Sequence, residues 1–179
     1  MQACTHDAAK RGDPRGDPRG DPDCYAAPVL RIGLISDTHG LLRPEVAEFL
    51  RGCDHIVHGG DICDRSIVSA LEALAPVTAV RGNNDRGAWA EGLRESEWVR
   101  FDDVLIYAIH DLAQIDVDPA AAGVRVVVSG HSHRPLIDER GGVLFVNPGS
   151  AGPRRFSLPI SAGELLVDGD RVSARTVEF

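Results

Sequence analysis

"HIVHGGDICDRSIVSALEALAPVTAVRGNND", residues 55–85, decides the fold. The runs "HIVHGG" and "PVTAV" read as short strands, and "DRSIVSALEAL" between them reads as a helix, so the unit is two parallel strands joined by a crossover. Working upstream, "VLRIGLIS" at 29–36 reads as a buried strand. "RPEVAEFLRG" at 43–52 reads as a helix with Pro44 near its first turn and Gly52 at its end. The chain from 29 to 85 is therefore β-α-β-α-β. Downstream the pattern changes: "EWVRF", "VLIYAIH", "VRVVVSG", "RPLIDE", "GVLFVN", "AGELLVDGD" and "RVSARTVEF" are strands separated by turns. An α/β fold of two packed mixed sheets with helices outside is the expected result.

The segment before this pattern is different in kind. Residues 11–22 read "RGDPRGDPRGDP", a four-residue repeat with no apolar side chain to bury, so residues 1–28 are expected to be a disordered tail and 29–179 the folded domain. Arg-Gly-Asp serves as an adhesion motif in exported proteins, but the N-terminus has no apolar signal-peptide core, and a flexible tail is the expectation. Translation from a start near Val29 is a further expectation, open to intact-mass measurement. No apolar run approaches the ~18 residues of a membrane span, which predicts a cytoplasmic protein. Cys4, Cys24, Cys53 and Cys63 form no C-x-x-C pair and are expected as free thiols. A net charge of −8, with Lys10 the only lysine, argues against a membrane surface or nucleic acid as a stable partner. A homo-oligomer stays open.

The residues immediately after each strand carry the chemistry. After "IGLIS" comes "DTHG", after "HIVHG" comes "GDICD", after "VTAVRG" comes "NND", after "LIYAI" comes "HD", after "VVVSG" comes "HSH". Ligands of sheets with parallel strands bind outside the carboxyl ends of those strands. Asp37, His39, Asp61, Asn83, His110, His131 and His133 can therefore converge. Singly, each is a turn residue or a helix cap. At five strand ends, with four of the chain's seven histidines among them, they predict a site. Carboxylate, amide oxygen and imidazole without thiolate suit Mn, Fe, Co, Ni or Zn, and seven donors suit two ions sharing a carboxylate. His55 and His58 read as core residues, with His58 near enough to Asp61 in sequence to support it. Asp85 reads as a turn or cap residue, and Asp64 as either a support of the site or a surface ion pair.

The motifs "DTH", "GDICD", "GNND", the histidine after "LIYAI" and "GHSH" resemble, in order, the five motifs of the calcineurin-like metallophosphoesterases. "NPGS" at 147–150, followed by "PRR", resembles the small bacterial and archaeal phosphodiesterase branch. The resemblance spans about residues 30–179. It implies the four-layer αββα sandwich of the metallo-dependent phosphatase fold and a small phosphoester substrate. Asp37, His39, Asp61 and His133 would hold one divalent ion. Asp61 would bridge to a second ion on Asn83, His110 and His131, with manganese the expected metal and Ni, Fe, Co or Zn alternatives. The implied activity is phosphodiester hydrolysis by in-line attack of a hydroxide shared by the ions, with Asp61, Asn83 and His110 as catalytic residues. Phosphomonoester hydrolysis is one alternative. The other is a protein-binding scaffold like the retromer small subunit, whose version of the fold is poor in metal ligands.

Two positions depart from the family pattern. Asn84 stands where many relatives carry a histidine that protonates the leaving oxygen, and an amide does not titrate. It counts with Arg154 as a candidate substrate-binding residue, Arg154 because guanidinium matches phosphate geometry. Asp111 stands where relatives have glycine. Three roles stay open for it: an added ligand, a proton donor or a water-facing carboxylate.

Overall fold

Strand β1 (Leu30–Ile35) lies at the middle of the first sheet, with its last four residues buried. In the computed structural model, which describes residues 28–179, β1 runs parallel to β2 (His55–His58), and β2 runs parallel to β3 (Val77–Ala79). The crossovers are α1 (Pro44–Leu50) and α2 (Arg65–Glu72). Pro44 opens α1 as expected, and Asp64 caps α2 by accepting from the Ser66 N–H at 2.8 Å. The sheet is completed on the other side of β1 by the antiparallel pair β9 (Ser161–Asp168) and β10 (Arg171–Glu178). Glu164, buried in β9, is tied to Arg31 and Arg175, a charge cluster that strand patterning does not announce.

The second sheet has the order β4 (Ser96–Phe101), β5 (Val104–Ile109), β6 (Val126–Val128), β8 (Val143–Asn147), β7 (Leu136–Arg140). Here β5, β6 and β8 are parallel to one another, and β4 and β7 form antiparallel edges. Period-2 alternation divides the core. Ile32, Leu34, Val57 and Leu165 from the first sheet pack against Val104, Ile106, Val126, Val128 and Val146 from the second. On the first sheet's outer face, Ile35 and Ile56 meet Val46 and Leu50 of α1 and Ile67 and Leu71 of α2. The expected 1–28 tail, its repeat, Lys10, Cys4 and Cys24 fall outside the described residues, apart from Pro28 itself.

The fold class is the expected one, with an outer layer of unequal make-up. Both α-helices cover the first sheet. The second sheet's outer residues Tyr107, Val127 and Val143 are covered by Leu112, Ile115 and Val117 from a 3-10 turn and a loop. The segment there makes one helical turn: the Asp118 carboxylate caps it by accepting from the N–H groups of Ala120 and Ala121 beside Pro119, and Gly123, with φ 76°, ends it before an α-helix can extend.

Candidate metal centre

Six parallel strands, β1, β2 and β3 in one sheet and β5, β6 and β8 in the other, send their carboxyl ends to one edge of the sandwich. The structure brings Asp37, His39, Asp61, Asn83, His110, His131 and His133 together there. Asp37 and Asp61 are buried, whereas Asn83 and His131 are exposed, so the cluster opens to solvent on one side.

Five of the seven, Asp37, His39, Asp61, His131 and His133, have left-handed backbone, with φ between 45° and 64°. Each such non-glycine residue costs on the order of 1–3 kcal/mol and persists only where its surroundings over-determine it. The surroundings do so here. Asp37 N–H donates to Gly60 O at 3.0 Å and His39 N–H to Asp61 O at 3.0 Å, locking the first two motif loops together. Asp85, buried, accepts from the N–H groups of Cys63 and Gly82, each at 2.7 Å, and so joins the second and third. Asn147 donates its amide to Gly130 O at 2.6 Å, and Ser150 Oγ donates to Asp37 O at 3.1 Å, so the "NPGS" turn braces the fifth motif and the first.

The donor atoms form two adjoining groups. Asp37, His39 and His133 make one, Asp37, Asp61 and His110 the other, with ligand atoms in each within 4.8 Å of one another. Asn83 Oδ1 joins the second group, 3.1 Å from His110 Nε2 and 3.2 Å from His131 Nδ1. Asp61 Oδ2 lies 3.8 Å from His39 Nε2 and 3.6 Å from His110 Nε2, between the two groups.

The cluster fits a cation on its own geometry. Asp37 Oδ1 and His133 Nδ1 are buried without hydrogen-bond partners, and buried polar atoms rarely go unpaired. Asp37 Oδ1 is 3.2 Å from His133 Nε2, yet the pair lacks hydrogen-bond alignment, which leaves the carboxylate oxygen free for a third partner. His110 is already oriented: its Nδ1 lies 2.7 Å from Gly59 O, which fixes that nitrogen as the donor and presents Nε2 to the cluster. Burial lowers the His39 pKa, against the pull of Asp61 and Asp37, and so favours the neutral imidazole a cation needs. Burial raises the Asp61 carboxyl, but His110 and the two Asn84 donors outweigh it and hold the group well below the usual carboxylate range. An oxygen-and-imidazole set of this kind suits divalent first-row metals.

The sequence profile of the calcineurin-like phosphoesterase superfamily domain matches residues 30–170. The chain belongs to that superfamily. A probable metallophosphoesterase of Methanothermobacter thermautotrophicus is 36% identical over 157 residues, which cover 82% of this chain and 91% of the relative. A phosphodiesterase of Methanocaldococcus jannaschii is 27% identical over 139 residues, covering 67% and 83%. In fold, vacuolar protein sorting 29 from Cryptosporidium parvum superposes with a TM-score of 0.68 at 20% identity, over 84% of this chain and 98% of that one.

The structure also places the residues whose roles were open in the sequence. Asn84 turns onto Asp61, donating its backbone N–H to Oδ1 at 2.8 Å and its side-chain amide to Oδ2 at 2.6 Å. Asp111 accepts from Ala113 N–H at 3.0 Å and from the Gln114 amide at 3.3 Å, so it caps the 3-10 turn, 4.0 Å from His131 Nε2. The Ala113 N–H lowers its pKa, which keeps it a carboxylate rather than a proton donor. His58 is fully buried, with Nε2 3.1 Å from Thr38 Oγ1 and Nδ1 accepting from Gly60 N–H at 3.1 Å, behind the first two motif loops. His55 packs on Phe101 and pairs with Thr78 Oγ1 at 2.8 Å. Arg154 has no side-chain contact with the cluster; its neighbour Arg155 reaches it, Nη2 lying 3.3 Å from His39 Nε2. Cys63 is a free thiol 3.6 Å from His39 Nδ1, its pKa pushed up to about 11 by burial. Arg155 and Cys63 were missed in the sequence; the doubled Arg of "PRR" and the "GDICD" motif held the only signals for them.

Proposed function

We propose that the protein is a two-metal phosphoester hydrolase that prefers activated phosphodiesters. The observation that carries this is the convergence of seven oxygen and nitrogen donors from five strand ends, most of them on strained backbone, around two buried carboxylates. Asp37, His39 and His133 would hold one ion, Asn83, His110 and His131 the other, and Asp61 both. The position of Asp61 Oδ2 between His39 and His110 supports the shared role. The relative described as a phosphodiesterase supports the diester substrate. Manganese is the first metal to test.

When bound, two divalent ions lower the pKa of a shared water, clamp the phosphoryl oxygens and stabilise the attacking and leaving oxygens of an in-line displacement. The chain's own groups prepare for that. Gly59 O fixes the His110 tautomer, Asn84 keeps Asp61 charged and aimed, and Arg155, at the mouth of the cluster, can pair with a phosphoryl oxygen. Position 84 offers no proton to the leaving oxygen, which favours aryl diesters over alkyl monoesters.

The test is metal content together with hydrolysis of bis-p-nitrophenyl phosphate, with and without added Mn²⁺, using Asp61→Asn as the inactive control. Metal-dependent turnover that Asp61→Asn abolishes is the expected result. The likeness in fold to vacuolar protein sorting 29 favours a second reading, a non-catalytic protein-binding scaffold. Tight metal binding with no turnover of any phosphoester would select it.

A further inference from the structure

Asn83 Oδ1 sits between His110 Nε2 and His131 Nδ1, and a cavity opens on each side of this trio. One, of about 390 Å³, has Asn83 and His110 in its wall. The other, of about 230 Å³, has His131 in its wall. Asp111 lines both, with its carboxylate committed to capping the 3-10 turn, and so stands as the partition between them.

The two cavities differ in chemistry. The larger is walled by the exposed side chains of Arg81, Arg86, Glu95 and Asp116, and none of the four hydrogen-bonds to another side chain among the described residues. Two guanidinium donors and two carboxylate acceptors suit groups that both donate and accept, as hydroxyls do. An apolar occupant would strip water from four charges and return nothing. A bare anion would meet the two carboxylates. The smaller cavity is walled by Leu112, Leu136, Phe145 and Val146. Of its polar members besides Asp111 and His131, Asn147 and Ser132 are bonded to each other at 3.1 Å and Ser129 is buried. An apolar void of about 150 Å³ accepts benzene, so this slot has room for an aryl ring or a short alkyl chain.

We propose that the site takes an asymmetric phosphodiester, with a hydroxyl-rich, sugar-type substituent in the cavity beside Asn83 and His110 and an apolar substituent in the slot beside His131. This rests on the phosphoesterase assignment, because a tetrahedral phosphorus held at the metal ligands has two ester substituents that diverge, so that one can reach the cavity lined by Asn83 and the other the cavity lined by His131.

The experiment is isothermal titration calorimetry of the manganese-loaded protein with three phosphonate monoesters, thymidine 5′-phenylphosphonate, thymidine 5′-methylphosphonate and methyl phenylphosphonate, in which a P–C bond resists hydrolysis and the one remaining ester has an alkyl leaving group that the site expels poorly. Leu136 is 45% exposed, so Leu136→Ser leaves the core intact. It should weaken the phenyl nucleoside probe roughly fivefold, from lost apolar burial, and leave the methyl nucleoside probe unchanged. Arg86→Ala should do the reverse, weakening both thymidine probes and sparing methyl phenylphosphonate. Equal effects of either variant on all three probes, or wild-type affinities that do not distinguish the probes, would overturn the proposal. Turnover of bis-p-nitrophenyl phosphate by the same samples keeps the two ideas separate. The expected binding pattern without turnover sinks the hydrolase and leaves the two-sided site. Turnover without the pattern does the opposite.

Discussion

Asn84 holds both oxygens of Asp61, the backbone N–H on Oδ1 and the side-chain amide on Oδ2. The asparagine that stands in place of a family histidine is thus a brace for the carboxylate proposed to be shared by the metals. Partners of this kind typically affect metal affinity by about 10–100-fold. Asn84→Ala should accordingly weaken Mn²⁺ binding by that order in a calorimetric titration. An unchanged affinity would show that the backbone N–H alone is enough. Asn84→His should supply a titrating group and raise the relative rate on alkyl esters, at some loss of metal affinity.

Asn83 and Asn84 are adjacent and alike, yet their side chains do different things. Asn83 Oδ1 faces two imidazoles, so Asn83→Ala should halve the metal content found by elemental analysis of the Mn²⁺-loaded protein. Retention of both ions would remove Asn83 from the ligand set.

Gly82 precedes this pair and passes against Asp61. A Cβ on Gly82 would meet Asp61 N at 2.2 Å and Oδ1 at 2.3 Å, and that obstacle is chiefly backbone, which cannot rotate away. Gly82→Ala should destabilise the fold by about 1–3 kcal/mol, as overpacking does, and abolish metal-dependent turnover. Denaturation midpoints and Mn²⁺ titration on one preparation check both effects. Gly92→Ala, where a Cβ meets nothing within 4 Å, is the control.

How much of this was legible in the sequence depends on how far apart the interacting residues lie. The β1-α1-β2-α2-β3 run was readable because apolar runs and Pro44 act within a few residues, whereas Asp64, read as a support of the site or a surface ion pair, turned out to cap α2. The ligand candidates were readable because each comes just after an apolar strand, and parallel strands must end at one edge. The bond from Asn84 to Asp61 spans 23 positions, and nothing local marks it. The left-handed backbone at Asp37, His39, Asp61, His131 and His133 was hidden because the usual sign of that conformation is glycine. The choice between Arg154 and Arg155 depended on the path of a loop. The single helical turn over the second sheet was readable in principle from Asp118 and Pro119, which start one, and Gly123, which ends it.

Arg155 Nη2 lies 3.3 Å from His39 Nε2, close enough to reach a phosphoryl oxygen beside that ligand. Arg155→Ala should raise KM for an aryl diester about tenfold, the cost of one charge-assisted hydrogen bond, with Mn²⁺ affinity unchanged. Arg154→Ala should change neither. A lower kcat at constant KM would instead place Arg155 in the stabilisation of the transition state.

His58 sets a pH dependence of stability that is separate from metal loading. Full burial lowers its pKa from the ordinary 6.5 to about 4 in the folded protein, so its ring is neutral there when the unfolded chain already binds a proton. Above pH 6.5 both states are neutral at this site and it has no effect. As pH falls from 6.5 towards 4 the unfolded state gains the proton alone, and stability drops by up to about 1.4 kcal/mol per pH unit. The loss levels off below pH 4, once the folded state protonates too. Denaturant unfolding of metal-free protein at pH 7 and pH 5 should show this loss. His58→Gln, which cannot titrate, should unfold more easily at pH 7 through its altered contacts with Thr38 and Gly60 but lose less stability between the two pH values. If the variant's pH slope equals the wild-type slope, His58 is not the group responsible.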